Sequence, residues 1–586
     1  MNFIAKKDLI AQELPSLNDI RSEAESITKG INIGETLFMK KYGVKSEAEY
    51  KRMQMEQGKI MRHAHIGWNS WEETATGFKY IYDELTKQGI TLDRFGVSLD
   101  WIMGVPEEVR DKFPKGTGLV FSSPEEWKKV GQIVPIQPHF GDHMIGSMNS
   151  VENVILALEA GVTTMGNVAQ YYTYEYPGFT DKKSRVQGMV TAMCMMAELK
   201  DKGTLIHSNL DDGFGAQFHD LANLCGWAMI ERYIVEDLIG ASLGHCFGNL
   251  FSDPALRIIF RLAMNDVNKN DSVGSMLYGN TIDFSDNYDR NYGALSSFLI
   301  ADMACQMHHP TGHAVTPIPI TEAIRVPSPE EIVHVHIISK MLEEKAKHYS
   351  QYLDWNKMNM EKETLIIGGQ LFYERVINGL DDIGIDINNP CELFMSLKEI
   401  GAARLEEHFG SGKKNLNAMR GRIPLRPTDI VWTINYRQET ICNEIENLEN
   451  SLNGINVIAV ATDVHEFGKE IVKSVLLKAG AKVFDLGSSV EPQEIIDTVI
   501  ETESKIIVIS TFNGIALTYA KNLYKLLKEN NIEVSVIMGG LLNENMDESG
   551  LAVDVSDKLI EMGVVVPESA DDIIKTVKIL NKMCEA

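Results

Sequence analysis

The sequence predicts an α/β chain that contains two successive sets of alternating strands and helices. From Ile60 onward, short apolar runs alternate with longer helical stretches, a pattern typical of parallel sheets. A second, shorter series begins after Gly454, with strands expected near 456–461, 482–485, 505–510, 533–538 and 563–566. A length of 586 residues also exceeds what one hydrophobic core accommodates. We therefore expect a (β/α)8 TIM barrel followed by a flavodoxin-like (Rossmann-like) domain.

These patterns divide the chain into four segments. They are an N-terminal helical extension (1–59), the barrel with added helices (60–410), a linker (411–453) and the C-terminal domain (454–586). The extension is polar and helical, with a cap signal at Ser16 and an amphipathic stretch from Ser46 to Gly58. We expect it to wrap around the barrel or to contribute to a dimer.

Composition limits the classes of function. The formal net charge of −26 disfavours nucleic acid and anionic membranes as partners, so an anionic substrate must be held by local cations. The seven cysteines show no CxxC spacing, and neither a signal peptide nor an 18-residue apolar run is visible. We expect a cytoplasmic homo-oligomer, a dimer or a tetramer, that binds a small molecule.

Polar residues stand at the ends of the expected barrel strands, where the chemistry of such barrels gathers. The eight strand candidates are Ile60–Ile66, Arg94–Leu99, Gln132–Gln137, Val162–Val168, Thr204–Asn209, Ala241–Cys246, Gly274–Tyr278 and His313–Pro317. Histidines follow or end at least four of them, and they include His63, His65, His139, His143, His207 and His245. This recurrence favours a polar pocket. A divalent metal bound through His63-Ala-His65 is the competing interpretation, although no carboxylate set accompanies that pair.

One loop of the C-terminal domain carries a candidate metal ligand. Asp463-Val-His-Glu-Phe-Gly468 follows the apolar run Asn456–Ala461 and precedes a helical pattern. An imidazole on such a loop can offer one nitrogen to a metal while a carboxylate fixes the other N–H. Gly468 leaves room for a large flat group against the backbone. Taken alone, these six residues favour an ordinary loop between strand and helix with a solvated histidine.

Two further loops extend this pattern. A second loop carries Ser510-Thr-Phe512, with 41 residues between Gly468 and Ser510, and a third carries Gly539-Gly540, with 26 residues between Phe512 and Gly539. The three elements resemble the DxHxxG, SxL and GG fingerprint of cobalamin-binding domains, with Phe512 in place of Leu. The resemblance implies that His465 ligates cobalt in place of the nucleotide base and that Asp463 orients it. It also implies that the remaining loop residues surround the nucleotide tail, namely Gly468, Ser510, Thr511, Gly514, Gly539 and Gly540.

The barrel region resembles the large subunit of glutamate mutase, an adenosylcobalamin-dependent carbon-skeleton mutase. Gly244–Asp253 is similar to that family's G-x-C-G-N-L-x-x-D stretch with one residue added, and Glu322–Ser328 is similar to its E-A-x-G-I-P-T segment. The resemblance implies that Glu322 holds the ribose hydroxyls of the adenosyl group. The Lys that the family carries four residues earlier is Ile318 here.

The fourth strand aligns without gaps with the family segment that carries a pocket Glu and two tyrosines. Tyr172 and Tyr176 match the tyrosines, whereas the Glu that meets the substrate ammonium group is replaced by Gly166. Arg62 is the counterpart of one of the family's three carboxylate-binding arginines, and His139 lies near a second. We therefore expect a dicarboxylate without an amino group, clamped by Arg62, with His139, His143 and His207 as donors to its second carboxylate.

These features predict an adenosylcobalamin-dependent radical mutase. Members of this family that interconvert 2-methyleneglutarate and 3-methylitaconate also fuse the barrel and the cobalamin domain in one chain. The alternatives are a mutase or aminomutase for another small acid, a corrinoid methyltransferase or methyl carrier, and a cobalamin-binding regulator. Methyl carriers usually place a helical cap before the cobalamin fold, for which Lys413–Asn453 looks short.

Overall fold

The computed structural model describes residues 5–585 except 69, 114, 117, 177–178, 180, 250, 282–283, 323–324, 416–417, 445–449, 464–466, 489, 513–514, 546–551 and 568–571. The chain divides into two compact units, Met1–Thr428 and Asp429–Ala586. Both have mixed α/β structure with parallel sheets.

Unit 1 contains eight short parallel strands. They are β1 (His63–Ile66), β2 (Arg94–Val97), β3 (Gln137–Phe140), β4 (Thr164–Gly166), β5 (Leu205–Asn209), β6 (Leu243–Cys246), β7 (Met276–Leu277) and β8 (Ala314–Val315). The first six form a sheet in sequence order, and β7 pairs with β8. Parallel bridges link Phe247 to Leu277 and Arg62 to Val315. The result is a curled parallel sheet with its strands in chain order.

Sixteen described helices of unit 1 precede, separate and follow these strands. They are α1 (Lys6–Leu9), α2 (Leu17–Thr28), α3 (Leu37–Tyr42), α4 (Glu47–Glu56), α5 (Trp71–Lys87), α6 (Pro124–Val130), α7 (Ser150–Glu159), α8 (Ala169–Thr173), α9 (Lys182–Glu198), α10 (Leu221–Arg232), α11 (Pro254–Val267), α12 (Tyr288–His308), α13 (Pro329–Tyr352), α14 (Trp355–Asp382), α15 (Pro390–Ile400) and α16 (Ala402–Phe409). A π-helical segment, Tyr233–Ile239, continues α10. Short 3-10 helices lie at Trp101–Gly104, Glu107–Lys112, Lys200–Lys202 and Gly215–Gln217.

Local signals explain several helix starts. Ser16 accepts a hydrogen bond from the Asp19 backbone N–H at the start of α2, as the sequence predicts. Ser328 begins α13 in the same way and forms a capping box with Glu331. Such caps satisfy backbone donors that have no partner within the helix.

The third strand lies later in the chain than the sequence predicts. The expected strand Gln132–Gln137 is a series of turns that ends where β3 begins. Pro138 lies inside β3, opposite Phe95 of β2. Because proline has no N–H to donate to a sheet, it is uncommon inside a strand, and the sequence gives no sign that the strand continues through it. The shift brings His139 into the strand itself.

The end of unit 1 includes part of the region predicted as a linker. A two-stranded antiparallel hairpin pairs β9 (Lys413–Lys414) with β10 (Arg422–Ile423). Beyond it, the Asp220 carboxylate accepts hydrogen bonds from the backbone N–H groups of Leu425, at 2.7 Å, and Arg426, at 3.1 Å. Residues up to Thr428 therefore fold with unit 1.

Unit 2 begins with α17 (Asp429–Glu444) and continues as a parallel α/β fold. Its other described elements are β11 (Asn456–Ala461), α18 (Phe467–Lys478), β12 (Lys482–Gly487), α19 (Pro492–Thr502), β13 (Ile506–Thr511), α20 (Ala516–Glu529), β14 (Ser535–Gly540), β15 (Asn543–Asn545), β16 (Ala552–Asp554), α21 (Ser556–Glu561) and α22 (Ile573–Glu585). The sheet order is β12-β11-β13-β14, and a parallel bridge joins Ile537 to Val565. This is the flavodoxin-like order that the sequence predicts.

None of the helices within the described ranges combines the length and the apolar run that crossing a lipid bilayer requires.

Candidate functional site

Four histidines meet on one face of the curled sheet. The imidazoles of His63 and His65, both on β1, have centroids 4.9 Å apart. His139 of β3 lies 6.3 Å from His63 and 4.8 Å from His207 of β5, measured between ring centroids. We call these four residues the interior histidine cluster. The sequence predicted a polar pocket of histidines, and the strands bring these four side chains together.

Several nitrogens of this cluster lack partners. Among the described residues, neither ring nitrogen of His63 has a hydrogen-bond partner, and the Nε2 atoms of His65 and His139 also have none. In contrast, His139 Nδ1 lies 2.9 Å from the Thr164 carbonyl. His207 contacts Ser275 Oγ at 2.5 Å and Asn209 Oδ1 at 2.7 Å. Buried polar atoms normally have partners, so the unpartnered nitrogens are candidates for ligand binding.

Arg94 supplies a positive charge to the same interior. It begins β2 and is only 1% exposed. Its guanidinium lies 3.0 Å from Glu47 Oε1 of α4 and 3.1 Å from Ser275 Oγ. Lys51 of α4 is 3.2 Å from the same Glu47 oxygen. Neither Arg94 nor Glu47 was a predicted site residue, although a charged residue at the start of a buried strand was a usable signal.

Burial and this charge keep the cluster neutral. Burial, followed by the charge of Arg94, lowers the pKa of His63, His139 and His207 well below the ordinary imidazole value. The same two causes lower the pKa of His65 to about 4. A neutral imidazole offers one N–H donor and one acceptor nitrogen, so the cluster can either donate to an anion or accept a proton.

His143 and Tyr176 form a separate pair. His143 Nδ1 lies 2.9 Å from the Tyr176 hydroxyl, and both residues are buried. Burial and then Arg185 lower the pKa of His143 to about 3. Arg185 also donates to the carbonyls of Gly146, at 2.8 Å, and Tyr174, at 2.7 Å. Arg185 thus holds the two loops that carry the pair.

Two predicted substrate contacts lie elsewhere. Arg62 precedes β1 and forms a 2.7 Å ion pair with Glu343 of α13. Because alternate residues of a strand face opposite sides, Arg62 faces the helices while its neighbour His63 faces the cluster. Tyr172 packs among Phe214, Trp227 and Phe394. These placements argue against a carboxylate clamp at Arg62 and a pocket role for Tyr172.

Gly166 lies at the point where a family Glu is expected. A Cβ atom there would be 2.6 Å from the His207 carbonyl oxygen and 2.8 Å from His207 Cδ2. The position therefore has no room for a carboxylate side chain. Glu175, the other candidate, contacts Lys398 at 2.5 Å and Arg185 at 3.1 Å.

Glu322 lies beside the cluster. It lines a small cavity with His65 and Tyr278, and burial raises the pKa of its carboxyl group to about 7. No group of His, Cys, Asp or Glu within the described ranges is arranged to hold a metal ion. The alternative of a metal bound through His63 and His65 therefore gains no structural support.

In unit 2 the three motif loops begin side by side. Parallel pairing places Ala461 of β11 opposite Ser510 of β13, and Ser510 opposite Gly539 of β14. Asp463 Oδ2 accepts a 2.8 Å hydrogen bond from the Phe512 backbone N–H, which ties the first loop to the second. Motif elements far apart in sequence are thus adjacent at the carboxyl edge of the sheet, where ligands of such folds bind.

Glycines keep this edge open. A Cβ at Gly468 would lie 2.6 Å from Ser510 Oγ, whereas one at Gly539 would meet nothing within 4 Å. Gly540 has φ +99° and lies against the Thr511 backbone. The Thr511 hydroxyl has no partner in the described part of the chain. His465 and Gly514, both predicted cofactor contacts, lie outside the described residues.

Comparison with known proteins identifies the family of unit 2. The B12 binding domain family matches residues 454–557. The 2-hydroxyisobutanoyl-CoA mutase small subunit of Aquincola tertiaricarbonis is 30% identical over 95 residues, 16% of this chain and 68% of that protein. A trimethylamine corrinoid protein of Methanosarcina barkeri is 26% identical over 210 residues, 35% of this chain and 87% of that protein.

Two other matches are shorter or weaker. Dimethylamine corrinoid protein 3 of Methanosarcina acetivorans is 36% identical over 83 residues, 14% of this chain and 39% of its own length. A crystal structure of a cobalamin-binding protein from Desulfitobacterium hafniense DCB-2 shares 22% identity, covers 26% of this chain and 69% of that one, and gives a TM-score of 0.19. Through residues 454–557, the chain belongs to the B12-binding domain family.

Proposed function

We propose that this protein is an adenosylcobalamin-dependent carbon-skeleton mutase that interconverts 2-methyleneglutarate and 3-methylitaconate. The observation that carries the proposal is the joining of a B12-binding domain to a unit whose buried histidines offer unpartnered nitrogens. We further propose that the curled sheet of unit 1 is a (β/α)8 barrel, because its eight strands follow in order and bridges extend the pairing beyond β6.

The residues of unit 2 fit a cobalamin. Glycines at 468, 539 and 540 allow a large group to approach the backbone, and the buried Thr511 hydroxyl beside Gly540 has no partner among the described residues. The exposed apolar side chains at this edge of the sheet, Phe512, Ile515 and Leu541, would gain from being covered. His465 would ligate the cobalt and Asp463 would orient the imidazole.

Residues of unit 1 would bind and orient the other reactants. When bound, adenosylcobalamin supplies an adenosyl radical that can remove a hydrogen atom from an unactivated carbon. Glu322 would accept hydrogen bonds from the ribose hydroxyls of the adenosyl group. It suits this role because it lines a cavity, and because its pKa of about 7 leaves a carboxylate fraction at pH 7 that can accept from two vicinal hydroxyls. The interior histidine cluster would hold the acid.

The choice of acid follows from Gly166, which cannot offer a carboxylate to a substrate ammonium group. An amino acid substrate needs a carboxylate for its ammonium group, and Gly166 has no space for one. Glu175 is committed to Lys398 and Arg185. A dicarboxylate without an amino group avoids this requirement, which favours 2-methyleneglutarate over glutamate.

Proton NMR of anaerobic incubations tests the assignment. With adenosylcobalamin and the full chain, we expect 2-methyleneglutarate to convert to 3-methylitaconate and glutamate to remain unchanged. Omission of the cofactor is the control, since conversion without it would have another cause. Formation of 3-methylaspartate from glutamate, with 2-methyleneglutarate untouched, would overturn the choice of substrate.

Electron paramagnetic resonance tests the proposed cobalt ligand. In the Co(II) form, loaded with a corrinoid whose own base carries ¹⁵N, the axial nitrogen coupling should show ¹⁴N from His465. His465→Gly should remove that coupling and weaken cofactor binding. A coupling that follows the ¹⁵N label would mean that the nucleotide base remains on the metal.

A corrinoid methyl carrier is the second candidate, because several relatives are methylamine corrinoid proteins. Before β11 the described part of unit 2 contains only α17, whereas such carriers usually have a helical cap there. The 210-residue match to the trimethylamine corrinoid protein is longer than unit 2, however, so it extends into the end of unit 1. Incubation of the Co(I) form with a methylamine and a corrinoid-specific methyltransferase distinguishes the two. Rapid methylation, together with no acid isomerisation, would favour the carrier.

A further inference from the structure

Within the interior histidine cluster, the contact between His139 and Thr164 determines which ring nitrogen of His139 carries the proton. The Thr164 carbonyl can only accept, so His139 Nδ1, at 2.9 Å from it, carries the proton. In the neutral ring, His139 Nε2 is then an acceptor. That atom is buried and has no partner among the described residues. A carboxylate oxygen is also an acceptor, so it can bind at Nε2 only if the ring gains a second proton.

The charges around His139 favour a negative ligand. Arg94 of β2 and Lys51 of α4 are positive, while Glu47 is the carboxylate that contacts both. The Nη1 atom of Arg94 has no hydrogen-bond partner in the described residues. The groups whose charges act on the pKa of His139 are Arg94, His207 and His65, and each of them lowers it, while His63 is a further neutral ring of the cluster. Cys246 lies near Arg94, Tyr278 and Glu322 lie near His65, and the carboxylates of Asp142, Asp211 and Asp212 act on Tyr278 or Cys246. The groups that act directly on His139 therefore carry no negative charge.

We propose that a substrate carboxylate binds against His63, His65 and His139 beside Arg94, and that it binds together with one proton taken up by His139. This inference rests on the proposed acid substrate. The proton comes from solvent and stays on Nε2, where it forms a charge-assisted hydrogen bond to the carboxylate. His63, with both nitrogens unpartnered, donates its single N–H to the same ligand.

The direction of the pH effect follows from linkage. In the free protein, burial and Arg94 keep the pKa of His139 well below 6.5, so the ring is neutral at pH 7. A bound carboxylate favours the charged ring and raises that pKa. The complex therefore holds more protons than the free protein, and affinity must fall as pH rises. Uptake of one proton corresponds to a loss of about tenfold in affinity per pH unit.

Calorimetric titration of the full chain measures this coupling. The chain is loaded with hydroxocobalamin, which cannot supply the adenosyl radical, so heat reports binding alone. The probes are 2-methyleneglutarate and glutarate, titrated at pH 7 in Hepes and in Tris, whose ionisation enthalpies differ. The difference in observed enthalpy gives the number of protons bound, and we expect about one per acid.

Two variants locate the proton. His139→Gln cannot be protonated, so proton uptake should fall to near zero and the pH dependence of affinity should flatten. The loss of a charge-assisted hydrogen bond should also weaken binding roughly 10- to 100-fold. His308→Gln is the control, because His308 is an exposed histidine at the end of α12 that stacks on Trp355. Its variant should keep the uptake of wild type.

The outcomes separate this inference from the proposed function. Acid that is isomerised, but binds without proton uptake, would overturn the inference and leave the mutase standing. Binding with uptake that His139→Gln abolishes, but without isomerisation under adenosylcobalamin, would support the site and overturn the mutase. Uptake that persists in a folded His139→Gln variant assigns the proton elsewhere and overturns the inference. Failure of both acids to bind overturns both proposals.

Discussion

Gly96 lies between Arg94 and the carboxyl end of β2, against two imidazoles of the interior histidine cluster. A Cβ at this position would be 2.9 Å from His65 Nδ1 and 3.2 Å from His63 Cε1. Real Cβ atoms do not approach an atom as closely as 2.9 Å, so a methyl group must displace the His65 ring, and it also crowds His63. The absence of a side chain at Gly96 thus allows the His63 and His65 rings to occupy their observed positions.

Gly96→Ala should therefore weaken the binding of 2-methyleneglutarate, on the order of tenfold if one charge-assisted hydrogen bond is lost. Calorimetry measures the affinity, and chemical denaturation measures the free energy of unfolding. Gly188→Ala is the control, because a Cβ there in α9 meets nothing within 4 Å. That variant should gain roughly 0.5–1 kcal/mol in stability with unchanged affinity. Full affinity in Gly96→Ala would show that the two rings do not contact the acid.

At the residue scale, the sequence predicted which residue types stand at the strand ends better than it predicted which side of the sheet each side chain faces. His63, His139 and His207 face one interior, and polar strand ends were the correct signal. Arg62 is adjacent to His63 and yet pairs with Glu343 on the helix side. Successive side chains of a strand point to opposite faces of the sheet. An error of one position therefore places a side chain on the wrong face. Tyr172 packs among aromatic side chains that its alignment with the family segment could not show, and its role in the pocket stays a prediction.

At the element scale, α4 shows how the N-terminal extension supports the sheet. Its first residue, Glu47, contacts Arg94 and Lys51, and its backbone N–H donates to Thr163 Oγ1 at 3.2 Å. Lys51 Nζ donates to the carbonyls of Gly274 and Ser275. One helix turn therefore ties together segments next to β2, β4 and β7. The extension stabilises the floor of the proposed carboxylate site.

Glu47→Gln should leave two buried cations without their counter-charge. Removing one partner of a buried ion pair typically costs about 3–5 kcal/mol in the free energy of unfolding. Denaturant unfolding followed by circular dichroism measures this loss. Glu56→Gln, at an exposed residue in the last turn of the same helix, should change stability by less than about 0.5 kcal/mol. Equal effects of the two changes would mean that the charge of Glu47 is dispensable.

The elements themselves were largely predictable. Apolar runs located seven of the eight strands of unit 1 and the four main strands of unit 2, since buried parallel strands are apolar along their length. The third strand was placed too early in the chain, because β3 begins only at Gln137 and continues through Pro138, a residue that is uncommon inside sheets. The helix α4 was visible as an amphipathic stretch. The ion pair that joins this helix to Arg94 could not be predicted, because contacts between residues distant in sequence produce no periodic pattern.

At the scale of the whole molecule, unit 2 has the features of an independent domain. Its four-stranded sheet is covered by helices, and its buried core includes Ile458, Ile507, Leu523 and Val536. The three motif loops that suit a cobalamin all belong to this unit. The histidine cluster and Glu322 belong to unit 1. Cofactor binding and acid binding should therefore be separable experimentally.

We expect the fragment 429–586 to fold alone and to bind hydroxocobalamin, without isomerising any acid. Spectrophotometric titration gives its affinity, which should be close to that of the full chain. Asp463→Asn in the fragment should weaken binding, since partners that orient a metal ligand typically contribute about 10- to 100-fold. Asp497→Asn is the control, because Asp497 is exposed on α19 and accepts only from Gln493 among the described residues. A fragment that folds but binds no cobalamin would show that unit 1 contributes necessary contacts. Equal affinities for the two variants would instead mean that Asp463 acts only in tying its loop to Phe512.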